Sequence, residues 1–181
     1  LNGRDRVHGE RIRGVMEHYD LFEGDLEFIQ QQDIIHTDLS WRVTPKLPKM
    51  CRKGTNIFFD FSVRFQHPEV PDILKNISWG MFSFEKRPRE VERFLEDGCA
   101  LGPKVLLATF GREGAIAYDG KRLYEQGIIE DHGVVNTAGA GDAFAAGFLY
   151  GMIRDEGVKR ALFYGAETAA KVVSLFEPYP V

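Results

Sequence analysis

Hydrophobic positions along the chain change their period several times, and each change marks an element. Residues 11–32 carry Ile12, Val15, Met16 and Tyr19 at helical spacing, break at 22–24, and resume with Leu26 and Ile29. That pattern predicts two short helices. The β-branched run DIIHTD at 33–38 predicts a buried strand, with His36 packed in it rather than acting as a ligand. Residues 41–54 hold Pro45, Pro48 and several Lys and Arg side chains, the composition of a loop leading to a short solvated helix. NIFFDFSVRF at 56–65 is a second strand, whose alternating Asp60, Ser62 and Arg64 share one side. Beyond Pro68 and Pro71 come a short helix and a third strand, GMFSF at 80–84.

Val91, Phe94, Leu95, Gly98 and Cys99 then fall on one helical face, in a helix that stops at 101–103. KVLLATFG at 104–111 is the most continuously apolar run and suits the centre of a sheet. AIAYDGKRLYE at 115–125 reads as a hairpin folded about Asp119 and Gly120, with positive φ at both. The last helix shows Val158, Ala161, Leu162, Gly165, Ala169, Val172, Val173 and Phe176 on one face, Ala166 and Ala170 beside them, and Pro178 and Pro180 as its stop. Strands alternating with helices predict an α/β sandwich around a mostly parallel sheet, where ligands gather at the carboxyl ends of strands.

Composition narrows the function classes. A chain of 181 residues with 44% hydrophobic and 28% charged positions supports one domain with a real core rather than a disordered segment. No apolar run approaches the roughly 18 residues needed to span a bilayer, and no signal segment opens the chain, so a cytoplasmic protein without a membrane partner is expected. The net charge of −4 leaves no basic surplus for a nucleic-acid backbone, and any polyanion must be held locally. Cys51 and Cys99 lack CxxC or metal-ligand spacing and are expected to be buried free thiols. The opening on Leu1 leads us to expect a chain that begins inside a longer protein.

The candidate chemistry lies in NTAGAGDAFAAGF at 136–148. Thr137 can cap, Gly139 and Gly141 let the backbone approach a ligand, and Phe144, Phe148 and Met152 repeat as a buried stripe. A helix opened through glycines presents unpaired N–H groups and a partial positive charge, which is an anion site. Asp142 sits inside it, although bound phosphate repels a carboxylate. A base there could take the proton from a substrate hydroxyl while the helix stabilises a phosphoryl group under attack. An acid in the first turn also favours any helix by roughly 0.3–1 kcal/mol. Spacing alone does not choose between these.

TAGAGDAFAAGF resembles the C-terminal signature of the PfkB/ribokinase family of sugar kinases, DTxGAGDxFxxGF. TFGREGAIAYDG is similar to that family's TLGxxG segment and DFSVR to its DxNxR segment, in the family's order. IIHTD, FFDFSVRF and FSFE look closest to its fructosamine kinases. The resemblance covers nearly all of this chain but only the C-terminal two thirds or so of a family member. It implies a ribokinase-like three-layer α/β/α sandwich. Residues 1–181 would be a partial kinase domain, with 11–181 its α/β core and 1–10 the end of a lid; Arg6 and His8 there are either near substrate or plain loop residues. The implied reaction moves the γ-phosphate of ATP to a hydroxyl of a sugar or sugar-amine such as fructoselysine. Asp142 would be the base and contact the substrate with Arg64, and the amides of Gly139, Ala140 and Gly141 would form the anion hole. Thr109, Gly111, Gly114, Thr137 and Ser83 would meet the nucleotide, with Mg²⁺ on the ATP. A homodimer is left open.

The chain departs from the family at three positions. Asn136 replaces the first Asp of the signature, and the NxxE segment aligns with 83–86, where Ser83 and Lys86 match neither end. Glu85 is one residue out of place, on the other face of a continuing strand, so no metal ligand is assigned. These departures keep a non-catalytic nucleotide-binding relative or inactive fragment in view. A kinase of the same fold acting on nucleosides or vitamin alcohols would differ only in the sugar pocket.

Overall fold

A computed structural model describes residues 14–51, 55–129 and 133–175. Its strands are β1 (Ile34–Asp38), β2 (Asn56–Ser62), β3 (Trp79–Ser83), β4 (Val105–Thr109), β5 (Ala115–Tyr118) and β6 (Leu123–Gln126). Its α-helices are α1 (Glu23–Ile29), α2 (Leu47–Met50), α3 (Val70–Leu74), α4 (Val91–Cys99), α5 (Ala140–Ile153) and α6 (Val158–Val173). The strands hydrogen-bond in sequence order in one sheet, and β1, β2 and β3 run parallel. The α/β fold is therefore the one predicted. The described residues group into two compact units, 14–108 with 118–122 and 109–117 with 123–175. Among them no helix is long and apolar enough to cross a membrane.

In the first unit the strands are near-continuous apolar runs because a parallel sheet covered on both faces offers little wet surface. Ile57, Phe58, Phe59, Phe61, Met81, Phe82, Leu106 and Leu107 are fully buried. Phe61 stacks on Phe82 at 4.3 Å, and Phe82 meets Phe94 of α4 edge-on at 4.8 Å, which fixes the helix against the strands. β1 instead alternates: Ile35 and Thr37 are buried, while His36 is exposed and touches Phe58 edge-on at 5.1 Å. His36 is thus exposed rather than packed inside the strand as expected, at the first position in the strand order.

Several boundaries differ from the expectation. The described part of the first helical stretch is a 3-10 turn, Gly14–Glu17, with Val15 84% exposed, and α1 begins inside the expected break with no residue buried. α2 is not simply solvated, because Leu47 and Met50 are buried. β2 stops at Ser62, whose φ of 52° turns the chain, so Arg64 lies beyond the strand and not on its alternating face. The Asp119–Arg122 turn closes through the Asp119 N–H to the Arg122 carbonyl at 3.2 Å. Asp119 Oδ1 accepts from the N–H groups of Lys121 and Arg122, and only Gly120 has positive φ. Cys51 is exposed rather than buried. Cys99 is half-buried and points at the Tyr118 carbonyl, and burial pushes its thiol up to about 11.

The second unit is built on an antiparallel helical pair. α6 buries Val158, Ala161, Leu162, Gly165 and Ala166, and α5 buries Ala143, Phe144, Ala145, Gly147, Phe148 and Gly151. Glycines set how closely they meet: a Cβ at Gly147 would stand 2.3 Å from the Tyr164 carbonyl oxygen, and one at Gly151 2.6 Å from the Ala161 Cα. Met152 is half-buried, so the stripe expected on α5 weakens at its end. α6 ends at Val173; Phe176, Pro178 and Pro180 lie outside the described residues, as do Arg6, His8 and the expected lid at 1–10.

Candidate active site

The second unit holds most of the candidate residues. α5 opens at Gly139, whose φ of 78° is a left-handed conformation that costs a side-chain-bearing residue about 1–2 kcal/mol. Gly139 is the N-cap and has no side chain to cap with. The first helical bond runs from the Ala143 N–H to the Gly139 carbonyl at 2.9 Å. Ala140, Gly141 and Asp142 therefore precede the helical ladder. The Ala140 N–H reaches back to the Thr137 carbonyl at a long 3.3 Å, and Gly141 is exposed at the mouth. A Cβ at Gly141 would meet nothing within 4 Å, so its absence serves no packing within the protein.

Asp142 is exposed in the first turn of α5. Among the described residues its carboxylate has no hydrogen-bond or ion-pair partner. It is not spent on capping, and it stands where the helix dipole is positive.

Upstream of α5 the backbone is tied down. The N–H groups of Val135 and Asn136 both donate to the Val173 carbonyl at the end of α6, at 2.8 and 3.2 Å. Asn136 is buried, and its Oδ1 accepts from the Ala138 N–H at 3.0 Å. In the sequence Asn136 stands out only as a departure from the family signature. The signal that could have found it is an Asn two residues before a turn amide, the Asx-turn pattern.

Thr109 ends β4 and is half-buried. Gly111 (φ 56°) and Gly114 (φ 84°) bracket a single 3-10 turn closed by the Gly114 N–H to the Gly111 carbonyl at 3.3 Å, and the Phe110 N–H donates to the Gly114 carbonyl across its base at 2.8 Å. Gly114 has a structural reason of its own, since a Cβ there would stand 2.3 Å from the Gln126 carbonyl oxygen; at Gly111 it would meet nothing within 4 Å.

The first unit holds the other two candidates. Arg64 Nη2 lies 3.7 Å from Asp38 Oδ2, and Asp38 also accepts from the Ser40 N–H and hydroxyl at 2.7 and 2.8 Å. Asp38 and Asp60 are register partners at the carboxyl ends of β1 and β2, and Asp60 Oδ1 accepts from the Ser62 N–H at 2.7 Å. Ser83 is the last residue of β3 and half-buried, so Glu85 follows the strand and is exposed. Strand alternation therefore does not govern the Glu85 side chain. Among the described residues no group of three His, Cys, Asp or Glu side chains could hold a metal ion. A surface groove of about 440 Å³ between Tyr150 of α5 and Tyr164 of α6 begins one turn past Asp142 and is separate from the helix mouth.

The sequence profile of the pfkB family carbohydrate kinases matches residues 80–179. The chain is 31% identical over 176 residues to fructoselysine 6-kinase of Escherichia coli K12, spanning 96% of this chain and 66% of that protein. It is 32% identical over 155 residues to fructosamine kinase FrlD of Bacillus subtilis, spanning 85% of this chain and 54% of that one. Thus the chain has about two thirds of the length of the one and about half of the other. Its fold is similar to that of Arabidopsis thaliana ribokinase, solved with ribose and ATP, with a TM-score of 0.72 at 20% identity over 86% of this chain and 54% of that chain.

Proposed function

Since this chain belongs to the pfkB family of carbohydrate kinases, we propose that it carries the phosphoryl-transfer machinery of an ATP-dependent kinase acting on a sugar or sugar-amine, with Asp142 as general base. The observation that carries this reading is the exposed carboxylate of Asp142, without a partner among the described residues, at the mouth of a helix that opens through Gly139. Asp142 takes the proton of the substrate hydroxyl as its oxygen bonds to the γ-phosphorus. The bond from that phosphorus to the β–γ bridging oxygen breaks, and ADP leaves with the electron pair. The amides of Gly139, Ala140 and Gly141 stabilise the charge on the equatorial oxygens. Thr109, Gly111, Gly114, Thr137 and Ser83 contact the nucleotide, and Arg64 the substrate.

Two similar proteins named for fructoselysine and fructosamine support a fructosamine-type acceptor. Magnesium would come with the nucleotide, held mainly by phosphates and water, as this ion commonly is; it neutralises phosphate charge there, and no protein ligand is assigned to it. With ATP as donor, the reaction belongs in the cytoplasm. Ser83, Lys86 and Asn136 favour a second reading, a non-catalytic nucleotide-binding relative or an inactive fragment.

The test is ADP release and phosphorylated product with fructoselysine and with free sugars, measured on this chain and on a form extended upstream to the length of its relatives. Product from either form supports the kinase; nucleotide binding without product from both supports the second reading. Gly141→Val adds a sharper check. A Cβ at this exposed position meets nothing within 4 Å, so the fold should persist while the phosphate is crowded away. Turnover is expected to fall by at least the roughly 10²-fold tied to one oxyanion-type donor. Wild-type kcat in that variant would remove the helix mouth from the mechanism.

A further inference from the structure

Three hydrogen bonds lead from the end of α6 to the mouth of α5. The Asn136 N–H donates to the Val173 carbonyl, the Asn136 Oδ1 accepts from the Ala138 N–H, and the Ala140 N–H donates to the Thr137 carbonyl. Val173 is the last residue of α6, where helical carbonyls lack intrahelical donors. Two loop amides, from Val135 and Asn136, supply that need. The loop is thereby fixed to a helix that is itself seated on α5 through Gly147 and Gly151. Asn136 contributes its side chain to these three bonds, and it is buried.

On the basis of the proposed kinase reading, we infer that Asn136 is a positioning residue. It touches no reacting atom; it sets the backbone from Thr137 to Asp142 by joining the carboxyl end of α6 to the amino end of α5. What the turn needs from this position is an acceptor oxygen at the end of a short side chain, which an amide and a carboxylate both provide. The amide provides it without adding a negative charge beside a phosphate-binding backbone. The replacement of the family's Asp by Asn therefore leaves the turn intact.

The test compares Asn136→Leu, which keeps the volume and loses the acceptor, with Asn136→Asp, which keeps the acceptor. Amide hydrogen exchange across 137–142 is read on this chain, beside thermal unfolding and kcat and KM on whichever form turns over. Asn136→Leu should exchange about tenfold faster across this stretch while exchange in β2 and β3 is unchanged, since only a local opening is made easier. Its kcat should fall about tenfold or more with a smaller change in KM for ATP, as misplacement of a catalytic group predicts. Asn136→Asp should stay within about threefold of wild type in exchange, because the turn is retained. Wild-type exchange in Asn136→Leu, or loss of protection in Asn136→Asp equal to that in Asn136→Leu, would overturn the inference. Because exchange needs no turnover, a protein that phosphorylates nothing defeats the kinase reading while the exchange data still decide the role of Asn136.

Discussion

Asp142→Asn is expected to lower turnover by about 10²- to 10⁴-fold, the usual effect of removing a positioned base. Nucleotide affinity should hold or tighten slightly, because the lost charge faces a phosphate and like charges repel. The alternative role for Asp142, an acid that merely favours the helix dipole, predicts the reverse pattern: turnover kept, and stability reduced by roughly 0.3–1 kcal/mol. Steady-state kinetics and nucleotide titration, run beside a thermal melt, separate the two. The side chain has room for the change, since it is exposed and holds no partner among the described residues. Turnover equal to wild type would return Asp142 to the helix-dipole role and leave the phosphoryl-transfer reading without its base.

Gly147→Ala should be the most damaging single methyl group in α5. The added carbon would lie 2.3 Å from the Tyr164 carbonyl oxygen, 2.6 Å from its carbon and 2.7 Å from Thr168 Oγ1. Two of those atoms are backbone, and no rotamer change moves them. Overpacking of this kind costs about 1–3 kcal/mol and sometimes more, and the upper end is expected here. The melting temperature should then drop by about 6–12 °C. Gly141→Ala is the control, because it adds the same atom to the same helix. It meets nothing within 4 Å and should be neutral or stabilising by up to about 1 kcal/mol. Equal melting of the two variants would mean that the close approach of α5 to α6 does not constrain stability.

The strands were legible because burial on both faces leaves apolar runs: every buried residue within 56–62 and 105–109 is apolar. The pattern failed where a partner or a backbone angle decides the outcome. Ile12, Val15, Met16 and Tyr19 have helical spacing, yet Val15 is 84% exposed and Tyr19 44%; periodicity registers an apolar face without registering what covers it. Arg64 was placed by carrying alternation through Ser62, whose left-handed φ ends the strand. The glycine-rich signature gave the position of the site but not the division of labour within it. Gly139 meets a backbone angle, Gly147 a neighbouring carbonyl, and Gly141 has open space. A sequence shows these three as the same letter, and only their surroundings tell them apart.

The seam between α5 and α6 also acts as a mechanical detent. Large side chains can slide past one another by changing rotamer, whereas backbone seated on backbone cannot. With Gly147 against Tyr164, Gly151 against Ala161 and Gly165 against Phe144, a slip of one residue would drive a side chain into a main chain. A helix rises about 1.5 Å per residue, so even this smallest step is blocked. The longitudinal position of Asp142, five residues before Gly147, is therefore indexed by α6, much as a pawl indexes a shaft.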